Sequence, residues 1–195
     1  MIKQLDVALP YANALRRIIC SQIRTLAIYS VDIYVNDAYE TQTDEAVALC
    51  MGQLPISGDP FSLPLECKCR SYCEECSFKF SIEHKDGPVD TTHFVKLDTN
   101  KHLPAWKDVR FVVELDRPYQ FLKLKKDQNF KAVAWVKAGT ASMHAKWSPV
   151  WKPLVIPNDK GGYTLKYGNN GALTPQQVYD QAVDKLLEMI DELNV

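Results

Sequence analysis

The chain has 195 residues, 46% hydrophobic and 24% charged, with a formal net charge of −1. This is ordinary globular composition, enough for one core or two small ones. It lacks the basic excess by which a protein grips nucleic acid alone, and no apolar run nears the ~18 residues of a membrane span.

Near the N-terminus Lys3, Asp6, Asn13 and Arg16 interrupt any hydrophobic leader. The protein is therefore expected inside a cell or an infected cell, where thiols stay reduced. Six cysteines then point to metal or buried thiols before disulfides.

The stretch from Pro10 to Leu26 predicts a helix. Leu15, Ile18, Ile19, Ile23 and Leu26 recur at steps of three and four, or their sums, and make one apolar stripe. Pro10 suits the first turn, where its missing N–H matters least. A strand-like run, Ala27 to Val35, follows. By periodicity alone this is core filler. The order of residue types adds more: Asn13-Ala14-Leu15-Arg16-Arg17, then Thr25-Leu26-Ala27-Ile28, resembles the first helix of the alpha-like assembly subunits of multisubunit RNA polymerases. That family includes the archaeal assembly subunit and the third-largest subunit of eukaryotic RNA polymerase II.

Thr43 is placed to cap a short helix, with Asp44 and Glu45 in its first turn, Gly52 ending it and Pro55 barring continuation. The Asp-Glu start and Leu54-Pro55-Ile56 exit resemble a second signature of the same family.

Ser57 to Pro64, rich in Pro, Gly and Ser, reads as a boundary. Beyond it Phe78, Phe80 and Ile82 alternate with polar residues as a half-buried strand, and Lys85-Asp86-Gly87 reads as a turn. Further strands are predicted at Thr92–Leu97, Val109–Leu115, Gln120–Lys125 and Lys131–Lys137. Leu122 to Gln128 with His144 to Val150 resembles the family's third signature, although Asp127 stands where the family turns on glycine. Leu165–Tyr167 predicts a short strand and Asn169-Asn170-Gly171 a turn. Thr174, Pro175 and Gln177 open a last helix with a capping box. Its stripe is Val178, Ala182, Leu186, Ile190 and Leu193, widened by Val183 and Leu187.

The sharpest local signal is Cys67, Cys69, Cys73 and Cys76, spaced C-x-C-x3-C-x2-C. The last pair has the knuckle spacing of structural zinc sites. Four thiolates leave no open position, so one zinc ion here would be structural, with Lys68 and Arg70 placed to offset its charge. Disulfides in so short a loop would be strained, and a redox Cys-x-x-Cys should open a helix rather than precede a strand. Similar spacing occurs in the inserted domain of the third-largest eukaryotic subunit. Cys20 and Cys50, among apolar neighbours, are expected as buried free thiols. The histidines show no ligand spacing, and the four tryptophans suggest core or partner anchors. No catalytic constellation stands out.

The expected fold is α+β. A split dimerisation domain, residues 1–57 and 132–195, carries two packed helices on a small antiparallel sheet. An inserted, mostly β, zinc-binding domain spans 58–131. The resemblance implies a non-catalytic assembly platform. Leu15, Ile18, Ile19, Ile23, Leu26, Val178, Ala182, Leu186 and Ile190 would form the interface with a smaller alpha-like subunit, and the pair would dock the large catalytic subunits. No direct nucleic acid or membrane contact is expected. The location would be nucleus or cytoplasm, or a virion if the chain's brevity marks a viral version. The rival reading is a free-standing zinc-stabilised nucleic-acid-binding regulator, which the charge balance disfavours.

Overall fold

The computed structural model describes residues 2–5, 7–97, 104–113, 117–159 and 161–193. In chain order the elements are β1 (Ile2–Leu5), α1 (Leu9–Ser21), β2 (Arg24–Asn36), α2 (Asp44–Gly52), β3 (Ile56–Ser57), β4 (Phe78–Asp90), β5 (Phe94–Lys96), β6 (Arg110–Phe111), β7 (Gln120–Thr140), β8 (Val150–Pro157), β9 (Tyr163–Asn169) and α3 (Pro175–Leu193). Among the described residues they form an α+β fold with two sheets, ordered β1-β9-β8 and β5-β4-β7-β2-β3-β6.

Contacts group the chain into two compact units, 1–25 with 140–195, and 26–139. These borders differ from the expected 57/58 and 131/132. The reason is the six-stranded sheet, which takes β2 and β3 together with β4 and β7 and so gathers Leu26–Gly139 around one core.

In the first unit, β9 lies antiparallel between β1 and β8. Helix α1 packs on this sheet and on α3. Ala12, Leu15, Ile18 and Ile19 are its buried face, meeting Leu5, Val150, Leu165, Tyr167, Val178 and Ala182. Each large side chain so buried contributes about 1.5–3 kcal/mol from apolar area alone. Helix α1 stops at Ser21, not Leu26, and β2 has begun by Arg24. Gln22 caps the helix by donating to the Ile18 carbonyl at 2.7 Å, and β-branched Ile23 and Thr25 favour extension from there. Ile23 therefore lies in the junction, and Leu26 belongs to the other unit's core, paired with Ile56. At the start of α3 the capping box forms: Thr174 N donates to Gln177 Oε1 at 2.8 Å, and Gln177 N to Thr174 Oγ1 at 3.2 Å.

Strand β8 is hidden in the sequence, because Pro153 and Pro157 interrupt its pattern. Both are tolerated: β8 is a sheet edge, and its register shifts between Trp151 and Leu154, where Lys152 takes φ 49°. Trp151 covers Gly168 of β9 so closely that a Cβ there would overlap the indole.

In the second unit, β4 and β7 pair from Phe78↔Val136 to Asp90↔Gln120. Large Phe78, Phe80 and Ile82 and small Ala132 and Ala134 point to the same buried core, where Trp106 stacks 5.5 Å from Phe78. Lys85-Asp86-Gly87 is not a hairpin turn but a bulge inside β4, with Asp86 and Gly87 at positive φ. Opposite, Asp127 takes φ 66° inside β7, so the two expected strands are one bent strand. Asp127 N donates to the Asp86 carboxylate, which steadies both bends. Helix α2 has the expected Thr43 cap and buries Val47 and Met51. Cys50 lies off that face and is exposed, and Cys20 is half-buried; neither is the buried thiol expected. Residues 98–103 and 114–116, including His102 and the end of the expected Val109–Leu115 strand, lie outside the described residues.

Candidate metal centre and pairing face

The loop 64–77 carries no helix or strand and precedes β4. It brings Cys67, Cys69, Cys73 and Cys76 together, all four sulfurs within 4.8 Å of one another. The sulfurs of Cys67 and Cys73 are 3.7 Å apart, those of Cys69 and Cys76 3.5 Å, and those of Cys73 and Cys76 3.6 Å. A tetrahedral ion with metal–sulfur bonds of about 2.3 Å needs edges of about 3.8 Å. The donor set therefore fits a zinc-sized ion, and it is too widely spaced for disulfides of about 2.05 Å.

Local hydrogen bonds shape the loop. Cys76 N donates to the Cys73 carbonyl at 3.2 Å, closing the knuckle, and Ser77 Oγ donates to the same carbonyl at 2.6 Å. The thiols are chemically unequal. The Cys69 backbone N–H, with neighbouring thiols, draws Cys67 down to about 7. Burial pushes Cys76 up to about 12, with the Lys137 charge pulling the other way. Cys67 is thus the easier of the two to deprotonate, and a cation must displace the proton of Cys76.

The loop is also tied to the sheet by residues the sequence did not single out together. Tyr72 stacks on Trp135 with centroids 4.2 Å apart. Its hydroxyl donates to both Asp32 oxygens at 3.2 Å, and Trp135 Nε1 donates to Asp32 Oδ2 at 2.8 Å. Burial, then Asp32, raises the Tyr72 phenol, so it stays a donor. The signal was alternation: Trp135 lies between core-facing Ala134 and Val136, so it had to face outward with something upon it. His84, near enough in the chain to stand in for a cysteine ligand, instead meets His93, ring centroids 3.9 Å apart.

The apolar stripes of α1 and α3 meet as expected, but most of that surface is already used. Leu15, Ile18, Ile19, Val178 and Ala182 are sealed within the first unit. Leu186 is only half covered, as is Ile190, while Leu187, Met189 and Leu193 are exposed. The stripe thus runs from a closed core into open surface. Met189 lines a groove of about 220 Å³ with Ala14, Arg17, Ile18, Ser21 and Gln22 of α1 and its cap. Among the described residues no helix is long and apolar enough to cross a membrane.

The model of the RNA polymerase Rpb3/Rpb11 dimerisation domain matches residues 5–190. The DNA-directed RNA polymerase subunit Rpo3 of Methanothermobacter thermautotrophicus is 32% identical over 148 residues, covering 73% of this chain and 52% of that one. The DNA-directed RNA polymerase II subunit RPB3 of Schizosaccharomyces pombe is 31% identical over 158 residues, 74% of this chain and 51% of that one. The RNA polymerase II subunit rpb3 of Dictyostelium discoideum is 27% identical over 159 residues, with shares of 75% and 52%. The chain spans about half the length of the curated relatives it matches. These relatives are archaeal and eukaryotic, and they lend no support to the viral version expected from brevity. A match over residues 5–190, joined to the two-helix unit and the four-cysteine loop, places this chain in the Rpb3/Rpb11 dimerisation domain family of RNA polymerase.

Proposed function

We propose that the chain is a non-catalytic assembly subunit of a DNA-directed RNA polymerase, working where transcription occurs inside the cell. Its role is preorganisation: it pairs with a smaller alpha-like chain, and the pair forms the platform on which the large catalytic subunits meet. The observation that carries this reading is the α3 stripe, buried at Val178 and Ala182 and open at Met189 and Leu193. An amphipathic helix whose apolar face outruns its own core is completed by another molecule. The buried stripe residues build the platform, and the exposed half offers the contact.

Cys67, Cys69, Cys73 and Cys76 would hold one zinc ion. With every position filled by sulfur the ion would cross-link the loop and supply no reactive water. The near-neutral charge agrees with a site away from nucleic acid. Co-purification tests the reading. The tagged wild-type chain should bring down a smaller alpha-like chain, and Met189→Asp with Leu193→Asp should not. Salt-sensitive DNA or RNA binding by the chain alone would favour the regulator instead.

A further inference from the structure

Residues from three strands of the second unit gather around the anchor of the cysteine loop. Asp32 comes from β2, Trp135 and Lys137 from β7, and Lys79 from β4. Asp32 accepts from both Tyr72 and Trp135, and Tyr72 lies flat on the Trp135 ring. Lys79 Nζ is 4.6 Å from the Trp135 ring centroid, and Lys137 Nζ donates to the Ser71 carbonyl at 3.1 Å. Tyr72 and Ser71 lie between Cys69 and Cys73, so this anchor holds the turn that must fold back to close a tetrahedron.

We propose that Asp32, Tyr72 and Trp135 are positioning residues that latch the cysteine loop to the sheet before any ion binds, and so set the site's metal affinity. The proposal rests on the metal reading above. An irregular loop loses conformational freedom when an ion gathers its ligands, and that loss opposes binding. A loop already seated by one carboxylate, one stack and a lysine has lost it beforehand. A carboxylate is well suited to such a latch, because two donors from different segments converge on it and bonds to a charged acceptor are the stronger kind. Lys137, bonded to the loop at Ser71, adds positive charge beside a centre that becomes anionic when four thiolates bind zinc.

The test measures zinc and cobalt(II) affinity of the full chain by chelator competition. Tyr72→Phe keeps the stack, loses the hydrogen bond and should weaken zinc binding about tenfold. Asp32→Ala should weaken it at least as much, and Asp32→Asn, which keeps one acceptor, should recover part of the loss. The cobalt charge-transfer spectrum should remain that of four thiolates throughout, since no ligand changes. In metal-free wild type the Cys76 amide should be protected from hydrogen exchange, and in metal-free Tyr72→Phe it should not. Circular dichroism establishes folding, and Tyr72→Phe decides the matter if Asp32→Ala fails to fold. Equal zinc affinity in wild type and Tyr72→Phe overturns the latch and leaves the metal site standing. An unprotected Cys76 amide in metal-free wild type also overturns it. A wild-type chain that takes up neither ion overturns the metal reading, and the latch with it.

Discussion

Ile19→Ala tests whether α1 is the structural keel of the first unit. Ile19 is 0% exposed, packed in the cluster with Leu165, Val178 and Ala182. The change removes three side-chain carbons, worth about 0.8 kcal/mol each in transfer from water. Alanine's better helix propensity returns a few tenths of a kcal/mol. The cavity adds to the loss, because sheet and helix on either side cannot fully close it. A net destabilisation of about 3 kcal/mol follows, inside the ~2–5 kcal/mol range of such truncations. Native-state hydrogen exchange is the suitable assay, since with two compact units one global melting curve would mix their transitions. Amides of α1 and α3 should lose about 100-fold protection, while those of β4 and β7 keep theirs. Leu187→Ala, at a 54% exposed position, should change protection less than threefold. Loss below tenfold for Ile19→Ala, or equal losses for both variants, would refute the packing argument.

Elemental analysis of purified chain should find one zinc per molecule, and Cys69→Ser with Cys73→Ser should find none. Chelation should speed exchange of the amides of residues 67–70, while the latched Cys76 amide and the α1–α3 unit stay protected; loss of protection in the α1–α3 unit as well would mean that the ion supports the whole fold. Gly168→Ala should force Trp151 off β9, cost about 1–3 kcal/mol and shift tryptophan emission to the red, whereas an unchanged spectrum would place the indole elsewhere. The chain alone should make no RNA on any template, and measurable synthesis would contradict the non-catalytic role.

What could be read from the sequence was what depends on local chemistry. Thr43 and Thr174 announced their helices because a hydroxyl at an N-terminus satisfies N–H groups close by. The cysteine spacing announced a cluster because the four residues that must meet are neighbours in the chain. Legibility failed where distant partners decide. Ile23 and Leu26 fit the helical period by number, but the sheet claims Leu26 through Ile56, and periodicity cannot see that partner. Strand β8 hid behind two prolines, which an edge with a bulge accepts and a central strand would not. Asp127 takes a left-handed bend inside β7, with Asp86 across the ladder receiving its N–H. Asp32 and Trp135, 103 positions apart, become neighbours only when β2 and β7 join one sheet.

The central claim is that an apolar seam, begun inside this chain, is finished by another. The most direct test is affinity purification of the tagged chain from its own cells, with co-purifying chains identified by mass spectrometry. Wild type should carry a smaller alpha-like chain and the large polymerase subunits, and Met189→Asp with Leu193→Asp should lose them at unchanged stability. A wild-type chain recovered alone as a stable monomer would contradict the account.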